Sequence, residues 1–121
     1  MLTVIHYLHT EGVVHRALNL SYFLLDDKFN LRLINYGFSA PIQARDGGGL
    51  LMTRIGVAGY MAPEILADQP YDGIRVDLFA IAVALFIIYR GRPPFVNARP
   101  NDQYYRFIQQ NRLETFWKID K

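Results

Sequence analysis

The run LFAIAVALFIIY, Leu78 to Tyr89, places twelve apolar residues in sequence without a break. Such a run has to leave water, and that demand constrains every fold open to the chain. A helix that crosses a bilayer needs roughly 18–20 such residues. Here the run is bounded by Asp77 and Arg90, so it reads as the buried helix of a domain, apolar on every side. With a stop at Arg90-Gly91 it gives a central helix over about 74–90. The remainder of the chain has to cover it. Apolar residues make up 51% of the sequence and aromatic residues 14%, which suffices for a packed core. At 121 residues the chain is one domain or part of one.

Around this helix the signals are short. Val4, Ile5 and Leu8 lie at helical spacing, with Gly12 as a stop. YFLL and LRLI are strand-like and flank DDKFN, which reads as a hairpin turn. Asp26 and Asp27 then bond local backbone and do not form a catalytic acid pair. From Phe38 to Arg54 the periodicity is poor, and RDGGG at 45–49 makes the middle flexible. Pro63 suits the first turn of a short helix. GRPPF, from Gly91, is a stiff extended loop. Asn101 or Asp102 caps a final helix over about 101–111, with Tyr104, Phe107 and Ile108 on one face. The layout is mainly α with one small β-hairpin.

Composition excludes several function classes. Thirteen basic against eleven acidic residues give a net charge of +2, too weak a balance for a nucleic-acid partner. Without cysteine there are no disulfides and no thiolate metal sites. His6 and His9 lie three apart, but no carboxylate or cysteine completes a ligand set, so both read as ordinary helix positions and no metal is expected. Tyr104-Tyr105 and Phe116-Trp117 lack a basic surround, which favours packing over base stacking. No secretory signal is recognisable and no membrane segment is expected, so the expected setting is cytoplasmic.

Taken singly the remaining motifs are weak, but their order is specific. His15-Arg16-Ala17-Leu18-Asn19-Leu20-Ser21-Tyr22 is followed by Asn35-Tyr36-Gly37 and then Ala62-Pro63-Glu64. Asp77 opens the central helix, and Gly91-Arg92-Pro93-Pro94-Phe95 follows it. In this order they resemble the H-R-D-L-x-x-x-N, D-F-G and A-P-E signatures of the eukaryotic protein kinases. GYMAPEIL is nearer the serine/threonine branch than the tyrosine kinases. The resemblance implies the large C-terminal lobe of a kinase-like fold, incomplete at both ends. It implies a catalytic loop at 15–22, a degenerate D-F-G at 35–37, an activation segment at 38–61 and the A-P-E at 62–64.

Against that pattern the chemistry has departed. The family's loop Asp handles the substrate hydroxyl proton, and position 17 is Ala. The family's Lys neutralises the transferring phosphate, and position 19 is Asn. Its magnesium-binding Asn is replaced by Tyr22, and the D-F-G Asp by Asn35. Its Thr, which contacts the catalytic Asp, is replaced by Val57. Magnesium needs hard oxygen ligands, carboxylates above all, so no cofactor is expected although the family uses ATP and magnesium. Neither a Gly-rich phosphate loop nor a V-A-I-K lysine is present.

A second set of residues is retained. By resemblance His15 and Tyr36 belong to an apolar stack, Gly37 permits a backbone turn, and Asp77 accepts backbone N–H bonds from the catalytic loop. Arg16 meets a negative group on the activation segment, for which Thr53 and Ser39 are candidate phosphosites. Glu64 is expected to be a buried carboxylate without its family partner. The leading expectation is a catalytically inactive, pseudokinase-like domain acting through protein contact, with an active kinase or a substrate as partner. One rival is a serine/threonine kinase that binds ATP through substitute residues or a second chain. Another is a truncated product without activity.

Overall fold

The computed structural model describes residues 1–42 and 50–119; the RDGGG stretch lies outside them. The chain opens with α1 (Leu2–Thr10), which buries Ile5. It ends at Gly12, where φ is +80° and the amide donates to the His9 carbonyl. Glycine reaches that left-handed region without steric cost. β1 (Val13–Val14) follows, then a 3-10 turn at Leu20–Tyr22 and the hairpin of β2 (Phe23–Leu25) and β3 (Leu31–Leu33). In the hairpin Phe23 faces Leu33 and Leu25 faces Leu31. Its turn is organised by Asp26, whose carboxylate accepts from the backbone N–H groups of Lys28 and Asn30.

A second ladder lies outside the single hairpin read from the sequence. β4 (Ala40–Pro41) pairs antiparallel with β1, Val13 against Pro41 and Val14 against Ala40. Strands of two residues carry no periodicity, so nothing in the sequence could announce them.

α2 (Pro63–Leu66) is a single turn with Pro63 in its first position. α3 (Gly73–Arg90) is the central helix. Asp72 caps it by accepting from the Ile74 N–H, and Gly91 closes it at φ 75° with its amide on the Ile87 carbonyl. Gly73 is there for space: a Cβ on it would stand 2.7 Å from Val14 Cγ2. The absent side chain lets β1 press against the first turn of α3.

Two apolar clusters share this helix. Ile5, Leu18 and Leu33 gather against Ala80 and Ile81. Ile65, Tyr71, Phe95 and Tyr105 gather against Val76 and Val83. Tyr60 packs against both clusters. The expectation of a helix buried on every side is corrected, however. Leu78, Leu85, Ile88 and Tyr89 are 46%, 40%, 58% and 79% exposed. Hydropathy shows that a face prefers cover, not that a neighbour reaches it. None of the described helices is long and apolar enough to cross a membrane.

The final helix also differs from the expected 101–111. α4 covers only Tyr105–Gln109, and α5 (Leu113–Ile119) follows it. Asn111 stands at φ 57° between them and breaks the run. Asp102 sets the start of α4 and holds the preceding loop with the same carboxylate. One oxygen accepts from the N–H groups of Tyr104 and Tyr105, the other from Val96 and Asn97. Burial alone would raise the pKa of Asp102, but these four backbone donors outweigh it and hold the group below its ordinary 3.8. In α5 Phe116 is buried, and it meets Phe86 of α3 at 6.0 Å between ring centroids.

Two measurements check this packing. Gly73→Ala is expected to destabilise the chain by ~1–3 kcal/mol in denaturant titration, the usual cost of overpacking, and Val14→Ala should restore part of the loss. For Asp102 the depressed folded pKa means that its contribution is present above 3.8 and is lost as pH falls through the folded value. The melting temperature of Asp102→Asn should therefore be lower than wild type near neutrality and should change less on acidification below 3.8.

Candidate functional site

Asp77, 1% exposed in the second turn of α3, is where three donors meet. Its Oδ2 accepts from the His15 N–H at 2.8 Å and faces His9 Nε2 at 2.9 Å. Its Oδ1 accepts from the Arg16 N–H at 2.9 Å. Arg16 has a φ of 72°, a conformation that costs a non-glycine residue ~1–3 kcal/mol. The paired backbone bonds to one carboxylate offset that strain. His9 therefore corrects the reading of an ordinary helix position: its ring turns inward to Asp77. His6 remains exposed on α1. A lone histidine on an amphipathic helix gave no sign of a partner 68 residues away.

His15 is fully buried, with Nε2 3.1 Å from the Ile34 carbonyl and Nδ1 3.3 Å from the Ala17 N–H. A carbonyl can only accept and an amide can only donate, so together they select the tautomer protonated at Nε2. The ring lies 5.3 Å from Tyr36 and 6.3 Å from Tyr22, centroid to centroid. Arg16 Nε donates to the Phe38 carbonyl at 2.7 Å. Among the described residues no hydrogen bond joins Arg16 to Thr53. Thr53 is exposed and accepts from Tyr71 Oη through its carbonyl. Ser39 donates through both its amide and its Oγ to the Tyr36 carbonyl.

Gly37 lies in a turn that the Ser39 N–H closes on the Tyr36 carbonyl at 3.0 Å. It has no positive φ and has open space where a Cβ would stand. The left-handed residue just before the turn is Asn35, at φ 63°, a conformation that asparagine tolerates. Asn19 likewise has a local task that the sequence did not disclose. It is buried, and its Oδ1 accepts from the Ser21 N–H at 2.9 Å, capping the 3-10 turn. Tyr22, half-buried, packs with the α1 and hairpin cluster, and its carbonyl accepts from Ile34 N–H.

Ala17 is only 4% exposed. Gly56 lies over it: a Cβ there would be 3.4 Å from Ala17 Cα, and the Gly56 φ of 105° excludes an ordinary side chain. Between Ala17, Ile55, Gly56 and Tyr60 remains a void of about 10 Å³, at the lower limit for a single water. Tyr60 Oη accepts from the Leu20 N–H at 3.3 Å, and Val57 points outward, 53% exposed.

Glu64 corrects a further expectation, since it is half-buried and not enclosed. It lines an open cavity of about 650 Å³ with Arg99, Tyr105 and Gln109. Burial, with the Glu64 charge adding to it, pushes the Tyr105 phenol upward. Among the described residues no cation forms an ion pair with Glu64.

Residues 17, 22 and 35 do not fit magnesium. Ala17 has no ligand atom, Tyr22 is packed in the core cluster, and Asn35 offers a single neutral oxygen. No group of three or more His, Asp or Glu side chains among the described residues could hold a metal ion. What the arrangement does possess is a rigidly shaped loop. Asp77→Ala should lower stability by ~3–5 kcal/mol in denaturant titration, because it leaves buried donors without an acceptor. Asp77→Asn, which keeps one oxygen, should cost less; equal midpoints for wild type and Asp77→Ala would contradict this account of the loop.

Comparison with known proteins bears on the same residues. The family model described as "Protein kinase domain" matches residues 1–121. CBL-interacting serine/threonine-protein kinase 26 of Arabidopsis thaliana is 38% identical over 108 residues, 89% of this chain and 25% of that protein. CBL-interacting protein kinase 32 of Oryza sativa subsp. japonica is 41% identical over 95 residues, 78% of this chain and 22% of its own. CBL-interacting protein kinase 11 of the same rice is 37% identical over 109 residues, 90% and 22% respectively. The chain thus spans about a quarter of the length of the curated relatives it matches. By the family model and by these relatives, the chain belongs to the protein kinase family, in its serine/threonine branch.

Proposed function

We propose that this region does not itself transfer phosphate and that it acts by binding another protein, an active kinase or a kinase substrate. One observation carries the reading: the position of the family's proton-handling Asp is Ala17, buried beneath Gly56 with a void of only about 10 Å³ beside it. In this reading residues 15–22 are a catalytic loop in shape, 35–37 a D-F-G without its carboxylate, and 38–61 an activation segment. Phosphoryl transfer depends on positioning and charge compensation. Loss of general-base help alone costs ~10²–10⁴ in rate, and losses within one catalytic unit do not simply add. Asn19, Tyr22, Asn35 and Val57 remove further parts of that unit, so neither ATP nor magnesium is a cofactor. The relatives are named for interaction with CBL; a protein partner for this chain is consistent with that.

The direct test is a phosphotransfer assay on the purified chain with magnesium and with manganese, using a generic serine/threonine peptide. No transfer above the buffer blank is expected, and no magnesium-dependent thermal shift with ATP. Transfer that survives strict removal of contaminating kinases would overturn the reading and favour catalysis through substitute residues or a second chain.

A further inference from the structure

The segment that covers Ala17 is fastened along its approach by contacts that involve no phosphate. Leu51 and Tyr71 exchange both backbone bonds, each at 2.8 Å. Tyr71 Oη donates to the Thr53 carbonyl at 2.6 Å. Arg54 Nη2 then donates to the Leu66 carbonyl at 3.0 Å and to Asp68 Oδ1 at 2.8 Å. Leu66 is the last residue of α2, and its carbonyl is one of those a helix end leaves without an internal partner. Asp68 stands at φ 55° just beyond it, which brings its carboxylate to the same guanidinium nitrogen. Three residues, Ile55 to Val57, then separate Arg54 from the 3-10 turn at Ala58–Tyr60, where Tyr60 bonds the Leu20 amide.

We propose that Arg54 is a clasp that locks residues 51–57 across Ala17, so that the closed placement of this segment is built in and needs no phosphorylation. The ion pair with Asp68 is solvent-exposed, 39% on the Arg54 side and 78% on the Asp68 side, and such pairs contribute little by themselves. The decisive contact is the part-buried, charge-assisted bond to the Leu66 carbonyl. It fixes the one point from which the chain spans only three residues to its next anchor. The clasp concerns the placement of the segment and holds whether or not the chain transfers phosphate.

Amide hydrogen exchange on the whole chain tests it. In Arg54→Ala the Leu51 and Tyr71 amides should exchange about tenfold faster or more, the size of one charge-assisted hydrogen bond. The amides of Val83 and Ala84, deep in α3, should keep their protection. Thr53→Ala, which retains the carbonyl and removes the hydroxyl that a phosphate would modify, should leave all four unchanged. Arg54→Gln, which loses the charge and the guanidinium reach to the Leu66 carbonyl, should loosen Leu51 and Tyr71 likewise and carries the test if Arg54→Ala fails to fold. Unaltered protection of Leu51 and Tyr71 in the folded Arg54→Ala variant, or in Arg54→Gln where only that variant folds, overturns the clasp. An equal rise at Val83 and Ala84 also overturns it, because the loss is then global.

Discussion

One carboxylate sets the geometry on which the rest depends. Asp77 lies inside the helix that both apolar clusters share, and from there it takes the amides of His15 and Arg16 and faces the ring of His9. These contacts span more than sixty residues of sequence. They join α1, the loop after β1 and α3 at a point that water does not reach. A polar group so placed specifies geometry because it leaves no alternative partner for the donors it satisfies. The left-handed Arg16 is a consequence: two consecutive amides aimed at one carboxylate impose a backbone that an unrestrained chain would avoid.

The division between retained and altered residues follows from where each polar atom points. His15 and Asp77 satisfy buried backbone groups, so altering them leaves the interior with unmet hydrogen bonds. Asn35 and Val57 face solvent, and neither side chain makes a hydrogen bond among the described residues; Asn35 serves the fold through the left-handed backbone that asparagine tolerates. Ala17 is buried yet contributes only a methyl group beneath Gly56. The shape of the loop and the family's chemical positions thus rest on different atoms of the same loop. Asn19 stands between the two classes: whatever charge a family member carries there, this side chain now caps a turn.

Much of the frame was legible in the sequence. The apolar run, the Gly91 stop and the hairpin around Asp26 follow from local rules that need no distant partner. The order of the kinase motifs pointed to the family. What escaped were features that depend on non-local contact or on a single side chain with two tasks. His9 needed the position of Asp77, and the β1–β4 ladder needed the return of the chain at Ala40. Asp102 holds Val96 and Asn97 as well as Tyr104 and Tyr105 at the start of α4, a double task that its place in the sequence does not show. The left-handed backbone at Asn35, two residues before the turn at Gly37, was not read from the sequence, because asparagine only tolerates that conformation and does not require it.

Tyr60 then ties the covering segment to this frame. It is the residue that both clusters touch, and its hydroxyl meets the loop at Leu20. The cover over Ala17 is consequently held from two directions, by the core through Tyr60 and by the α2–α3 connection through Tyr71 and Arg54. Fastening of this kind orders the segment before anything binds to it, whichever task the region performs. A segment already ordered before binding loses less conformational entropy when a partner arrives. The same bonds that place the segment therefore lower the entropic cost of any contact made through it.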